Sequence, residues 1–432
     1  MKRCLLSLLA SCFALSMMAQ FDQTARQEID ENMYLAASNF LDYNRQLTQK
    51  PLTPSPKGYE PYYFSSYARH GSRYLCGDGE YRAVLKPLRA AKEQGKLTAK
   101  GLHLLDELEA FYKTTYKRPG DLTPLGQIQH HGIAKRMVQN FPEIFKHKNL
   151  KVDARSTIVR RVMISMTAEC EELAAANPTI QFHNDASEAL QFYLGASWSK
   201  AHSRINHLGD SIRNHYEYLI QPDRLMGEIF NDATYVRDSI KANNLMMDFF
   251  YWAMIMQSHN DTDTEFLSWF TKDEIYDLWR YNNIDWYLGY SNAPATKGLM
   301  CFTQLELFKN FIETADTITQ TGATLRFGHE TCLMPLACLM ELGLCATRTT
   351  DMDHLEQMWR NYRIFPMGGN VQLIFYRPKN GKQGDILVKA LLNEREMSLP
   401  VATDQHPYYR WSDLRQHYLD RIAWFEEEIK KY

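Results

Sequence analysis

The chain has 432 residues, of which 45% are hydrophobic and 23% are charged. This composition supplies enough apolar material for a large core and excludes a disordered chain, so we expect one complex domain or two smaller ones. The formal net charge is only −2, and no basic run interleaved with aromatic residues is found, so a nucleic-acid partner is not expected. Any recognition of an anion must therefore be local.

The first 20 residues differ from the rest of the chain. Lys2 and Arg3 precede an apolar stretch at 5–18, which is the pattern of a signal peptide that directs export. A bilayer span needs about 20 apolar residues, so a membrane anchor is the weaker interpretation. Cys12 follows Leu-Ala-Ser and resembles the lipobox of bacterial lipoproteins, so lipidation of Cys12 is the alternative. We expect an exported protein, periplasmic or secreted, or else held at the cell surface by a lipid.

Export would place the remaining cysteines in a compartment where disulfides persist. Their spacing fits no zinc-binding pattern, and six cysteines allow many pairings, so bridges and buried thiols both stay open. No metal or cofactor is predicted. The six are Cys76, Cys170, Cys301, Cys332, Cys338 and Cys345.

Strand and helix patterns alternate in the first part of the chain, which predicts an α/β sheet flanked by helices. An aromatic-rich stretch at 61–68 predicts a buried strand, and the stretch at 150–154 predicts a second one. Thr123 followed by Pro124 marks a helix start, because a hydroxyl cap and a proline suit the first helical turn. The predicted helices cover 81–94, 98–112, 124–137 and the segment that ends at 172.

The stretch at 174–319 differs from the flanking sequence in composition and periodicity. It is rich in aromatic residues and methionine, it shows helical periods, and its strand signal is confined to 180–182. We therefore predict an inserted, mainly α-helical cap. The predicted organisation is a signal peptide at 1–20, the first part of the α/β core at 21–173, the cap at 174–319, and the second part of the core at 320–432.

The last part of the chain returns to strand character. A strand is predicted at 323–328, followed by an apolar helix at 333–342 that Gly343 would cap. Two further stretches, at 371–377 and 386–392, predict a hairpin joined at Asn380-Gly381. An amphipathic helix at 414–427 closes the chain.

Three polar clusters each follow a predicted strand. They are Arg69-His70-Gly71-Ser72-Arg73, Arg155-Ser156-Thr157 and His329-Glu330. The strand ends of an open α/β sheet face one crevice, so these clusters are expected to meet there.

Their chemistry fits phosphoryl transfer without a metal. Arginine offers planar, multidentate donors to phosphoryl oxygens, which predicts phosphate binding by Arg69, Arg73 and Arg155. A neutral His70 would attack phosphorus and form a phosphohistidine that water then hydrolyses. Glu330 would protonate the leaving alcohol.

These motifs resemble the histidine phosphatase superfamily, in the branch of histidine acid phosphatases and phytases. The family signature Arg-His-Gly-x-Arg matches the run from Arg69 to Arg73. The resemblance implies that Arg155 is the distal phosphate-binding arginine and that His329 is the second histidine, also at the phosphate. Leu122-Thr123 with Gly126 is similar to the family's Leu-Thr-x-x-Gly helix start.

Other segments are most similar to the multiple inositol polyphosphate phosphatase subgroup. These are the Leu-Leu-Asn-Glu run at 391–394 and the Gly-His-Glu-Thr run at 328–331. One departure concerns the proton donor. That subgroup has His-Ala-Glu and bacterial phytases have His-Asp, whereas here Glu330 directly follows His329. The adjacent position of the carboxylate is that of the bacterial phytases, and the glutamate is that of the multiple inositol polyphosphate phosphatases.

The predicted substrate is a small phosphomonoester, with inositol polyphosphates as the leading class and a broad acid phosphatase as the alternative. Such a substrate would need further cations at the crevice. A noncatalytic protein that captures phosphorylated ligands is a second hypothesis, and a mutase is a third, disfavoured by the export signal. The candidate substrate-binding cations are Lys113, Lys117 and Arg118, with Arg160 and Arg161 beyond Arg155.

Overall fold

The structure is a computed structural model, and it describes residues 21–45, 50–260, 262, 264–379 and 384–432. The predicted signal peptide, Cys12 and the Asn380-Gly381 turn lie outside these residues. Within them, no helix is both long enough and apolar enough to pass through a bilayer. The six cysteines that they include are free thiols, and all but Cys76 are buried.

A mixed eight-stranded sheet forms the centre of the molecule, in the order β3-β2-β4-β1-β5-β6-β7, with β8 paired to β6. Strands β1 to β4 are mutually parallel, and β5 runs antiparallel to β1. The three strands that precede the polar clusters are therefore neighbours. The strands are β1 (Tyr59–Arg69), β2 (Lys151–Ser156), β3 (Gln181–Asp185), β4 (Gly322–Gly328), β5 (Asn370–Pro378), β6 (Leu387–Leu392), β7 (Arg395–Met397) and β8 (Tyr409–Arg410).

Helices cover both faces of the sheet and make up most of the chain between β3 and β4. The α-helices are α1 (Ala25–Glu31), α2 (Asp78–Glu93), α3 (Ala99–Thr114), α4 (Pro124–Asn140), α5 (Pro142–Phe145), α6 (Arg160–Ala176), α7 (Gln191–Leu194), α8 (Lys200–Asn206), α9 (Asp210–Tyr216), α10 (Asp223–Ile229), α11 (Ala233–Ser239), α12 (Ala242–Ile255), α13 (Lys272–Tyr290), α14 (Leu305–Asp316), α15 (Glu330–Leu339) and α16 (Trp411–Ile429).

Three apolar clusters stabilise this arrangement. One lies on the face of the sheet that Tyr67 points to and includes side chains of α13 to α16. Another lies on the opposite face, where Phe64 and Ala68 pack with α4 to α6. The third joins α1 to α2, α3, α10, α12 and α13. Because burial of apolar surface is the main favourable term in folding, this third cluster ties the inserted helices to the start of the core.

The predicted α/β fold is confirmed, and the differences lie in element boundaries. Residues 181–185 form the edge strand β3 of the sheet, so the core continues beyond 174 before the helical segment begins. The helix predicted at 333–342 begins at Glu330 and ends at Leu339. Its start is earlier than predicted because the chain turns into the helix directly after β4. Glu341, at φ 53°, leaves the helical region. The division into domains stays a prediction.

Candidate active site

The loop that follows β1 is held by backbone and side-chain hydrogen bonds from four directions. The Arg69 amide donates to the carbonyl of Gly369 at 2.8 Å and the His70 amide to that of Gly328 at 3.0 Å. The Gly71 amide donates to Ser165 Oγ at 3.1 Å, and the Ser72 amide donates to Gln129 Oε1 at 2.8 Å. The β5 side, β4, α6 and α4 thus fix the loop together.

Gly71 and Gly126 pack directly against each other, which explains both glycines of the sequence motifs. A Cβ on Gly71 would lie 2.4 Å from the Gly126 carbonyl oxygen, and a Cβ on Gly126 would lie 2.4 Å from that of Ser72. Thr123 caps α4 and also donates through its amide to the Ser72 carbonyl at 2.9 Å. The start of α4 therefore fixes the conformation of the loop.

A Gly126→Ala substitution should destabilise the protein by about 1–3 kcal/mol, because backbone atoms must move to admit the new methyl group. Gly227→Ala is the matched control, since Gly227 lies inside α10 and nothing outside the backbone of its own helix lies within 4 Å of its Cβ position. That control should leave stability unchanged or raise it by about 0.5–1 kcal/mol. Urea unfolding measures both variants. Equal unfolding midpoints would contradict the close contact.

His70 is fully buried, and its tautomer follows from one hydrogen bond. Nδ1 donates to the Gly71 carbonyl at 2.9 Å, which leaves the lone pair on Nε2. Nε2 makes no hydrogen bond within the described part of the chain, although Glu330 Oε2 lies 3.6 Å away. Burial is the largest cause of a pKa well below the usual value for His70. The imidazole is therefore neutral and nucleophilic even in mildly acidic solution.

Glu330 lies among guanidinium groups at the start of α15. Its Oε2 is 3.0 Å from Arg69 Nε, and its Oε1 is 4.0 Å from Arg73 Nη2. Burial alone would raise the pKa of Glu330, but Arg69, His70 and Arg73 together hold it well below the usual value. Glu330 is thus an ionised carboxylate in this conformation. It lies where a phosphoryl oxygen would accept from the same guanidiniums.

Arg69 is held from behind by two backbone carbonyls. Its Nη1 donates to the carbonyls of Asn39 and Phe365, and burial lowers the pKa of Arg69 to about 10, so the group stays charged at neutral pH. Its Nη2 has no hydrogen-bond partner within the described residues. Two carbonyls therefore fix the side chain while one donor stays available to a ligand.

His329 lies beside His70, with the two ring centroids 5.6 Å apart. Its amide donates to Tyr67 Oη at 3.0 Å, and its Nε2 lies 3.4 Å from Thr157 Oγ1. Burial lowers the pKa of His329 to about 4. A neutral imidazole at this position can donate a hydrogen bond to a phosphoryl oxygen without adding a charge.

The structure does not bring Arg155 into this cluster. Its guanidinium pairs with Asp153 at 2.7 Å and with Asp185 at 3.5 Å, within the sheet layer of β2 and β3. The physical reason is that β2 continues to Ser156. Arg155 is therefore a strand residue, and its side chain points to the opposite face from those of Ala154 and Ser156.

Arg161 supplies the third guanidinium in place of Arg155. Its positive charge acts on Arg69, His70 and His329 and contributes to lowering the pKa of each. Nη1 donates to the Gly120 carbonyl at 3.3 Å, and Nε is buried with no hydrogen bond to a described residue. From the sequence, Arg161 is predicted only as a further substrate-binding cation beyond Arg155, and its place in the cluster follows from the fold.

Of the cations predicted to bind more of the substrate, Arg161 lies in the cluster and the other four lie outside it. The Arg118 guanidinium lies 4.9 Å from the ring centroid of Tyr74 and 3.3 Å from Asp121. Arg160 also pairs with Asp121, at 3.1 Å. Lys113 and Lys117 line a shallow cavity beside Tyr116. All four are partly or largely exposed, so their role in binding stays a prediction.

The same pocket contains one set of potential metal ligands. Nitrogen and oxygen atoms of His70, His329 and Glu330 lie within 4.8 Å of one another. The three arginines around them carry positive charge, which opposes binding of a divalent cation. That the reaction needs no metal stays a prediction.

Several known proteins resemble the chain, although no family model matches it. The structure of the Bifidobacterium longum multiple inositol polyphosphate phosphatase with inositol hexasulfate has a TM-score of 0.69 and 18% identity, and the match covers 88% of this chain and 96% of that one. The phytase from D. castellii has a TM-score of 0.70 at 14% identity and covers 94% and 89%. The Hafnia alvei phytase has a TM-score of 0.52 at 12% identity and covers 85% and 98%.

A curated relative matches over a shorter segment. The human multiple inositol polyphosphate phosphatase 1 is 34% identical over 101 residues, which are 22% of this chain and 20% of the human protein. The match thus spans about a fifth of the relative's length. These likenesses confirm what the motif at Arg69 to Arg73 predicted: the chain has the histidine acid phosphatase fold of the multiple inositol polyphosphate phosphatases and phytases.

Proposed function

We propose that the chain hydrolyses phosphomonoesters through a phosphohistidine formed on His70. The observation that carries this proposal is the His70 side chain itself. Nδ1 is engaged by the Gly71 carbonyl, so Nε2 offers its lone pair beside the guanidiniums of Arg69, Arg73 and Arg161. A neutral nucleophile among fixed cations suits transfer of a dianionic phosphoryl group.

The bonds and protons balance in two steps. In the first, His70 Nε2 bonds to phosphorus, the ester P–O bond breaks, and Glu330 gives a proton to the leaving alkoxide. In the second, water attacks the phosphohistidine, the P–N bond breaks, and the Glu330 carboxylate takes the proton from water. His329 and the three guanidiniums bind the nonbridging oxygens, where negative charge develops.

Glu330 must be protonated before it can act as an acid, although it is ionised when it pairs with Arg69 and Arg73. A bound phosphate would take over those donors and add negative charge beside the carboxylate. Both changes favour the neutral carboxyl group and raise its pKa. Substrate binding would thus convert Glu330 from an ion-pair partner into a proton donor.

Glu330→Gln should slow hydrolysis of an alkyl phosphate by about 100-fold or more, because the alkoxide then leaves unprotonated. Hydrolysis of p-nitrophenyl phosphate should slow far less, since its leaving group needs little protonation. Steady-state kinetics on both esters measure the difference. Glu330→Asp is the matched variant, with the acid retained on a shorter side chain. Equal slowing of both substrates would count against Glu330 as the acid.

Inositol polyphosphates are the substrate class that we propose. Their additional phosphates would lie near Arg118 and Arg160, which pair with Asp121, the residue after Gly120, whose carbonyl accepts from Arg161. The names of the similar phosphatases and phytases support the same class. We also propose that the chain is exported by the segment at 1–20, or held by a lipid on Cys12.

Purified mature protein incubated with inositol hexakisphosphate and with simple phosphomonoesters, in buffer with EDTA, tests this function. We expect release of inorganic phosphate with a preference for the inositol substrate. Equal rates on all esters would indicate a broad acid phosphatase. Tight binding of the ligands with no phosphate release would indicate a binding protein.

A further inference from the structure

The inserted helical segment brings an aromatic side chain toward the start of α15, because α13 packs against α15 and Tyr290 contacts the apolar cluster that includes Leu333. Tyr290 is the last residue of α13, and its ring stacks on Trp286 with centroids 4.6 Å apart. Burial, and then the negative charge of Glu330, raises the pKa of the Tyr290 hydroxyl above its usual value. Tyr290 is therefore a neutral phenol that is close enough to the proposed proton donor to respond to its charge.

Trp198 extends this aromatic surface outward. Its ring centroid lies 6.3 Å from that of Tyr290, with the ring planes at 83°. It also contacts His202 at a centroid distance of 4.7 Å. Although it is held between these rings, Trp198 is 56% exposed. An ordered indole that keeps an exposed face next to a polar pocket can bind an apolar face of a ligand.

The backbone places this segment at the catalytic edge of the sheet. Tyr67 Oη donates to the Leu194 carbonyl at 3.3 Å and accepts from the His329 amide at 3.0 Å. The Ser197 amide donates to the Thr303 carbonyl at 3.3 Å. One phenol of β1 thus joins the segment that carries Trp198 to the segment that carries the second histidine.

The chemistry of the reaction decides which part of the substrate meets this surface. The leaving oxygen departs opposite the attacking His70 Nε2 and receives its proton from Glu330, so the leaving group lies on the Glu330 side. Arg118 and Arg160 pair with Asp121, the residue after Gly120, whose carbonyl accepts from Arg161. We therefore assign the aromatic side chains to the ring of the leaving group and these arginines to its other phosphates.

We propose that Trp198 and Tyr290 form a leaving-group subsite that binds the face of a six-membered ring, so that phosphomonoesters of cyclic alcohols are favoured over those of acyclic ones. This inference rests on the proposed function. A cyclitol ring carries C–H bonds on its faces and most of its phosphates around its rim. Its face can lie against the indole while its phosphates reach the cations. Trp198 and Tyr290 act on specificity and not on bond cleavage.

Trp198→Ala tests the subsite by binding and by kinetics. Calorimetry with inositol hexasulfate should give a Kd about tenfold higher than that of the unsubstituted protein, while the Kd for inorganic sulfate changes less than about twofold. KM for inositol hexakisphosphate should rise by the same factor with kcat nearly unchanged. KM for glycerol 3-phosphate, an acyclic ester, should stay within about twofold.

Trp424→Ala is the matched control, because Trp424 is a similarly exposed tryptophan on α16. It should change neither Kd nor KM. Equal Kd values for inositol hexasulfate in the Trp198 and Trp424 variants would overturn the subsite even if the enzyme is active. If no ester is hydrolysed but Trp198→Ala alone weakens hexasulfate binding, the proposed function fails and the subsite stands.

Discussion

Replacement of His70 by alanine should lower kcat for every phosphomonoester by at least about 10⁴-fold. The reason is that Nε2 is the atom that bonds to phosphorus, and the other groups of the pocket bind phosphate without forming a covalent bond to it. Substrate affinity should change much less, because Arg69, Arg73 and Arg161 remain. The measurement is steady-state release of phosphate together with calorimetric binding of inorganic phosphate.

A direct readout of the intermediate separates this role from a structural one. Substrate labelled in the phosphoryl group, quenched within the first turnover in alkali, should leave label on the unsubstituted protein and none on His70→Ala. Since His70 is fully buried and hydrogen-bonded to Gly71, thermal unfolding must show that the variant is folded. A folded His70→Ala variant that releases phosphate as fast as the unsubstituted protein would contradict the phosphohistidine mechanism.

The loop after β1 could be predicted from sequence because its constraints are local. A buried aromatic strand, a glycine and an arginine-histidine pair lie within a few residues of one another. The same holds for the cap at Thr123 and for the strand that ends at Gly328. Each of these features reflects backbone geometry or burial, which leave a pattern in the chain.

The rest of the site depends on where strands end and on which groups meet in space. A strand that is predicted to end at 154 places Arg155 in the loop after it. In the structure β2 continues to Ser156, so Arg155 is a strand residue and its guanidinium points away from the cluster. The ionised state of Glu330 follows from Arg69 and Arg73, and Arg69 lies far from Glu330 in sequence. Tyr290 reaches the site only through the packing of α13 near α15. No periodic pattern in the sequence indicates any of these contacts.

Arg161→Ala should lower kcat/KM by about 100- to 1000-fold, the effect of removing one fixed donor from a developing charge. The Arg161 side chain is partly buried, and its buried Nε has no hydrogen-bond partner within the described residues, so no group can readily replace it. The affinity for inorganic phosphate should fall as well. Arg155→Ala is the matched control, since its guanidinium pairs with Asp153 and Asp185.

That control should leave kcat/KM within about twofold, because a partly exposed ion pair contributes about 1 kcal/mol or less, and to stability rather than to catalysis. Parallel kinetics on one alkyl phosphate decide between the two arginines. A large loss in Arg155→Ala with little change in Arg161→Ala would restore the assignment made from sequence. The reverse result would establish that the phosphate pocket is completed by the start of α6, where Arg161 lies one turn before Ser165 on the same face of the helix.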